Sequence, residues 1–245
     1  MSNDNLIKVT VWNEYGDAQK APAVTRVYPQ GLHETIAGFL NKDPEIEAQT
    51  AVLEDREQGL SEAVLDNTDV LIWWGHVYHD KVEDKTAQQV IDRVHRGMGI
   101  IFLHSAHKSK PFMSLLGASG RLCWREANEK TRVWTAAPGH PIAAGIPENF
   151  VIDHEEMYGE PFGIPQPQCT VFISWFQGGN VFRSGVTFQK EYGRAFYFQP
   201  GHETNPTYHH EIVQRVIVNA VKWAKPVIKV GPLNCPNVQS LEKLE

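Results

Sequence analysis

The 245-residue chain is poor in several things, and each shortage narrows its function. It has only three cysteines, Cys123, Cys169 and Cys235. An odd number without C-x-x-C spacing argues against a disulfide framework and a thiolate zinc site, and none follows a predicted strand as a nucleophile would. The net charge is −6, with lysine and arginine scattered rather than clustered, so no nucleic-acid footprint is present. No apolar run approaches the roughly 20 residues of a membrane helix, and the first ten residues lack a signal-peptide pattern. The expectation is a soluble cytoplasmic protein with neither nucleic acid nor membrane as partner. No G-x-G-x-x-G follows the first strand and no G-x-x-x-x-G-K-[ST] occurs, so no nucleotide cofactor is signalled. Repeats and low-complexity linkers are also missing, which favours one domain over 1–245.

What is present is a set of apolar runs that end in polar residues. Gly99-Ile-Ile-Phe-Leu103 leads directly into His104-Ser105-Ala106-His107, and Asp69-Val-Leu-Ile-Trp-Trp-Gly leads into His76. Uninterrupted runs of this kind suit strands buried on both faces of a parallel sheet. Further strands are expected at Ile7–Trp12, Glu45–Leu53 and Arg194–Glu203, the last ending in His202 and Glu203. Helices are expected at Gly31–Leu40, Leu60–Leu65, Val82–Arg96, Lys108–Leu116 and Tyr208–Ala224. The alternation β-α-β-α predicts an α/β, doubly wound, mostly parallel sheet. Residues 121–193 depart from it, with short strands at Arg132–Ala136, Phe150–His154, Thr170–Phe176 and Val186–Lys190 between Pro/Gly turns, and read as an antiparallel extension. Residues 226–245 have no period and read as a tail.

In open α/β sheets ligands bind outside the carboxyl ends of the strands. Four segments end there: His76 with Tyr78 and His79, His104 with His107, Asp153-His154-Glu155-Glu156 with Tyr158, and His202 with Glu203. A histidine after a strand is as readily a hydrogen-bonding residue at a loop start, and the convergence of four such segments is what points to a site. Imidazoles and carboxylates together serve acid/base work or hold a divalent metal. His104, Glu156 and His202 are the expected catalytic groups. Zinc or another divalent ion would fall to His76, His104 and His202. Trp73 and Trp74 occupy consecutive strand positions and read as core, one in each layer. His33, His95 and His209 sit on predicted helices and read as solvated.

Gly75-His76, Gly99–Ala106, Glu155-Glu156-Met157-Tyr158 and Gly193-Arg-Ala-Phe-Tyr-Phe-Gln-Pro-Gly-His202 together resemble the trehalose-utilisation (ThuA-like) family of the class I glutamine-amidotransferase-like superfamily, from about residue 6 to about residue 225. The resemblance implies a flavodoxin-like core and carbohydrate metabolism, with a sugar or keto-sugar as small-molecule substrate. Trp12, Asn13, Tyr78, Ser105, His107, Glu155, Tyr158 and Glu203 are the expected substrate contacts, Trp12 and Tyr78 as stacking platforms. In amidotransferases the matching elbow bears a nucleophilic cysteine; here it holds His104-Ser105. Without a thiolate, glutaminase activity is not expected. Two alternatives stand beside the sugar enzyme: a noncatalytic carbohydrate-binding or assembly protein on the same scaffold, and a serine hydrolase in which His202 or His107 activates Ser105. The second lacks the G-x-S-x-G context. Finally, Trp124, Trp134, Phe150, Phe172, Trp175, Phe176 and Phe182 crowd the extension, which predicts a homo-oligomer, with the tail on its own surface or a neighbouring subunit.

Overall fold

A computed structural model describes residues 6–243. Five strands run parallel: β1 (Ile7–Asn13), β2 (Ile46–Val52), β3 (Val70–Trp74), β4 (Gly99–Leu103) and β9 (Gly193–Phe198). Four more, β5 (Cys123–Thr135), β6 (Asn149–Gly159), β7 (Cys169–Phe176) and β8 (Val181–Lys190), continue the same sheet antiparallel. The nine-stranded order is β2-β1-β3-β4-β9-β8-β7-β5-β6, with β8 pairing β9 to join the two halves. The α/β, flavodoxin-like class holds.

The central strands form because every position is apolar and has a layer to enter. Successive side chains alternate faces, so Ile72, Trp74, Ile101, Leu103, Phe196 and Phe198 enter one core, while Leu71, Trp73, Ile100, Phe102 and Tyr197 enter the other. Trp73 and Trp74 are therefore one in each layer, both fully buried. Helices α1 (Pro22–Thr25), α2 (Leu32–Leu40), α3 (Glu62–Asp66), α4 (Asp84–His95), α5 (Lys110–Leu116) and α6 (Glu211–Ala224) cover this half. Helix α4 turns Ala87, Val90, Ile91 and Val94 inward, and α6 turns Val213, Val216, Ile217, Ala220 and Val221. Gly193 packs so closely on Val94 O that a Cβ there would collide with it. Among the described residues no helix is long and apolar enough to cross a membrane.

Three expectations about elements need correction. Strand β5 begins at Cys123 rather than Arg132, because Cys123–Asn128 are all exposed and no inside/outside alternation marks them. Strand β6 runs on to Gly159, so Glu155, Glu156 and Tyr158 lie inside a strand rather than after one. Tyr208 belongs to a 3-10 turn, Pro206–His209, and α6 starts at Glu211. His33, read as solvated, is buried and meets Asn13 Nδ2 through Nδ1 at 3.2 Å. Of the crowded aromatics, Phe150, Phe172, Phe176 and Phe182 are buried within the chain, whereas Trp124, Trp134 and Trp175 are exposed. The start of the tail packs on its own chain: Val230 N–H donates to Arg96 O, and Lys229 Nζ reaches Asp69 Oδ1 at 2.7 Å.

Candidate active site

Each half of the sheet contributes differently to one centre. In the parallel half, β3 ends at Trp74 and Gly75 hands on to His76, while β4 ends at Leu103 and hands on to His104. His104 has φ +50°, a left-handed conformation that costs a non-glycine residue of order 1 kcal/mol or more and persists only where its surroundings hold it. They do: Tyr197 Oη–H donates to His104 O at 2.9 Å, and Gln199 O accepts from Nδ1 at 2.9 Å. The sharp elbow expected after β4 thus carries an imidazole. Ser105, the next residue, has its buried Oγ without a hydrogen-bond partner. The nucleophile–base pair that a serine hydrolase needs is not formed here.

The antiparallel half contributes carboxylates from the middle of β6. Adjacent strand residues face opposite ways, and both Glu155 and Glu156 are buried. Glu155 Oε1 accepts from the backbone N–H of Glu156 and of His202, and Oε2 accepts from Gly201 N–H and Thr207 Oγ1. It clamps the loop after β9. Gly201, with φ +142°, leaves no room for a Cβ beneath Tyr208 Oη, and the loop so shaped delivers His202 and Glu203. Glu155 was expected to touch substrate; it is consumed by this bracing.

Glu156 faces the other way, its Oε2 3.0 Å from His104 Nε2. Burial alone would depress the His104 pKa, but hydrogen bonding and charge from Glu156, aided by Glu155, raise it to about 9. The same contact outweighs burial to hold the Glu156 carboxyl below its ordinary range. Glu203 repeats the pattern: its Oε1 lies 2.7 Å from His76 Nδ1, and that contact overcomes burial to bring the carboxyl down to about 2. His202 is lowered by burial and then by the charge of His104. The rings of His76, His104 and His202 stand edge to face, with centroids 5.4–6.1 Å apart. Two sets of donor atoms, His104/Glu156/His202 and His76/His202/Glu203, each fall within 4.8 Å of one another.

These groups open on a cavity of about 310 Å³ lined by His76, Ser105, His107, Glu156, Tyr158 and His202, together with His79, Lys108, Arg121, Leu122, Trp124 and Glu126. Tyr158 stacks on His104, centroids 5.1 Å apart at 19°. His107 Nδ1–H donates to Gly120 O, which as a carbonyl fixes the proton on Nδ1. Burial pushes the His107 pKa down to about 3 and the His79 pKa down to about 4. Glu203 stands behind His76 rather than on the cavity wall. Trp12 is a correction: it stacks on Trp73 at 4.0 Å in the core and donates to Gln58 O. Asn13 is buried against His33, and Tyr78 lies under Lys81 Nζ beside Gly16, so neither lines the cavity. Sequence reasoning missed Lys108, Arg121, Trp124 and Glu126. The available signal was the i, i+2 spacing of Trp124 and Glu126, in a strand whose exposed start hid it. A register shift between Arg125 and Glu129 leaves Glu126 3.9 Å from His202 Nε2.

A mixed, mostly parallel α/β sheet with helices on both faces of its parallel half and a left-handed elbow after β4 defines a flavodoxin-like α/β protein. The chain belongs to the ThuA family, described as trehalose utilisation, whose profile matches residues 8–224. That membership carries a role in carbohydrate metabolism. Among solved structures, a ThuA-like protein from Parabacteroides merdae is similar at 14% identity, covering 92% of this chain and 93% of that one, with a TM-score of 0.68. A glutamine amidotransferase from Thermotoga maritima is similar at 11% identity over 89% and 97%, TM-score 0.53. A β-galactosidase from Bacillus circulans sp. alkalophilus matches 93% of this chain with 33% of its own, at 10% identity and TM-score 0.56. These likenesses show the fold. No curated protein matches the sequence.

Proposed function

We propose that this chain is an enzyme that modifies a sugar or keto-sugar, working through the His104–Glu156 pair and a divalent cation, zinc or a similar ion, bound beside it. One observation carries the reading: two donor sets, His104/Glu156/His202 and His76/His202/Glu203, each bring their ligand atoms within 4.8 Å of one another, and Glu203 Oε2 is buried without a hydrogen-bond partner, turned toward His202. Leaving that buried carboxylate oxygen unsatisfied costs on the order of 1–3 kcal/mol, and a cation beside it and the imidazoles removes that cost. The donor chemistry fits. Nδ1 of His76 and of His104 is engaged by Glu203 and by Gln199 O, which directs Nε2 of each toward the centre, as in metal sites where a second acceptor orients the ligand. His202 belongs to both candidate donor sets, with Glu156 or Glu203 as the carboxylate.

When bound, a divalent ion there supplies Lewis-acid polarisation of a substrate oxygen. The chain's own residues do the rest. If the ion were held by His76, His202 and Glu203, His104 Nε2 would keep its proton and share it with Glu156, which lines the cavity and would pass it to the substrate and take it back. Ser105, His107 and Tyr158 wall the cavity against bulk water. The test is elemental analysis of the purified full chain, thermal shift with Zn²⁺, Mn²⁺ and Ni²⁺, and product analysis with trehalose, its 3-keto derivative and related glycosides. Bound metal or a rise in melting temperature is expected, with turnover that His104→Asn abolishes while ligand binding survives. No metal and no shift would remove the cation and leave the acid/base pair. Binding without turnover on any of these sugars would make the chain a carbohydrate-binding module instead.

A further inference from the structure

The cavity has a second chemical feature that acid/base work does not use. Its lining holds two cations, Lys108 and Arg121. Neighbouring cations are tied down: Lys110 to Asp84, Arg125 to Glu129, Arg183 to Glu160. Lys108 and Arg121 make no ion pair among the described residues. Lys108 Nζ meets only the carbonyl of Ser119, at 3.3 Å, and Arg121 is anchored through its backbone N–H to Ser119 Oγ. The same short loop thus sets both charges at one mouth. The lining also carries Glu126 and Glu156, but Glu156 is paired with His104, whereas Lys108 and Arg121 have no carboxylate partner among the described residues, and cations left unpaired on a concave wall attract an incoming anion.

Trp124 completes the geometry. It pairs in register with Tyr158 across β5 and β6, so the two side chains stand on one face, and the indole is 65% exposed where it borders the cavity. An exposed indole beside buried polar groups is a flat apolar surface with a wet edge, suited to the C–H face of a pyranose. The cavity, about 310 Å³, is at the small end of ligand sites and admits one ring with a substituent.

We infer that the substrate is an anionic sugar derivative, its ring against Trp124 and its carboxylate or phosphate group between Lys108 and Arg121. This rests on the carbohydrate reading above and narrows its substrate class. Carboxylate and phosphate share the chemistry that these two cations recognise: oxygen acceptors with a full negative charge.

The experiment is calorimetric titration of the full chain with glucuronate, glucose 6-phosphate, glucose and inorganic phosphate, repeated on Lys108→Met/Arg121→Met and on Arg121→Glu. Both positions are exposed, and melting curves check that the variants fold. At least one sugar anion is expected to bind about tenfold or more tightly than glucose, to lose that advantage in both variants, and to weaken as ionic strength rises. Tighter glucuronate binding assigns the carboxylate, and tighter glucose 6-phosphate binding assigns the phosphate. Equal binding of glucose and its anions, or anion binding unchanged in the variants, overturns the proposal and leaves the carbohydrate reading standing. Binding of inorganic phosphate but of no sugar overturns both, as does binding of none of the four.

Discussion

The parallel and antiparallel halves of the one sheet are built on opposite plans. The parallel half is covered by helices on both faces, and its central strands β3 and β4 are apolar throughout, so their chemistry appears where each strand stops, at His76 and His104, as it does in the loop from β9 to His202. The antiparallel half carries chemistry inside its strands, at Glu155 and Glu156 of β6 and at Trp124 and Glu126 of β5, and exposes Trp134, Ile173 and Trp175 on one face. A strand buried on both faces has no position to spare for a functional group; one with a free or half-covered face has every second residue. The centre sits at the seam, with imidazoles from one side meeting carboxylates from the other.

The contrast can be tested by making the same kind of change in each half. The largest effect is expected for Trp73→Ala, which empties a fully buried position between α4 and the sheet; about 3–5 kcal/mol should be lost in urea unfolding. Next comes the seam. Glu155→Ala strands four donors from β6, the His202 loop and Thr207, and should cost roughly 3 kcal/mol with a melting point lower by about 6–12 °C. Glu155→Gln should fall between. A melting curve unmoved by Glu155→Ala would mean that the halves are not joined through this residue.

A smaller effect lies at the β6–β8 edge. Arg183 holds Glu160 at 2.7 Å, and although burial opposes it, this contact keeps the Glu160 carboxyl below its ordinary range. The stabilisation is present in full above the ordinary glutamate pKa and is lost as pH falls through the lowered value. Arg183→Met should therefore cost under about 1 kcal/mol at neutral pH, and its stability should converge with that of the wild type in acid. Equal stability gaps at both pH values would rule out the ion pair as the cause. The smallest change is Trp175→Ala on the exposed face, 44% accessible, within about 0.5 kcal/mol for the isolated chain. That face is also where we expect self-association: light scattering should show more than one 27.7 kDa chain, and Trp134→Ser/Trp175→Ser should lower the mass. A mass of one chain at all concentrations would leave the aromatics as plain surface.

The sequence by itself determined the parallel half and its histidines. Short apolar runs bounded by glycine and polar residues suit doubly buried strands, and the residues after such a run emerge at the carboxyl end, which is why His76, His104 and His202 were legible in the sequence. It also showed that the elbow after β4 bears His104-Ser105 and no cysteine. Tertiary structure alone decided what distance in sequence conceals. Trp12 follows the same kind of run, yet stacks on Trp73 because β1 pairs with β3 in register at those two residues. Glu155 and Glu156 are indistinguishable neighbours in the chain, and the pleat sends one to brace Gly201 and the other to His104. Trp124, Glu126, Lys108 and Arg121 gather at one cavity only because β5 pairs with β6 and bulges there. Periodicity reports which face a side chain takes within its own element; which partner waits on that face is set by pairings between residues tens of positions apart.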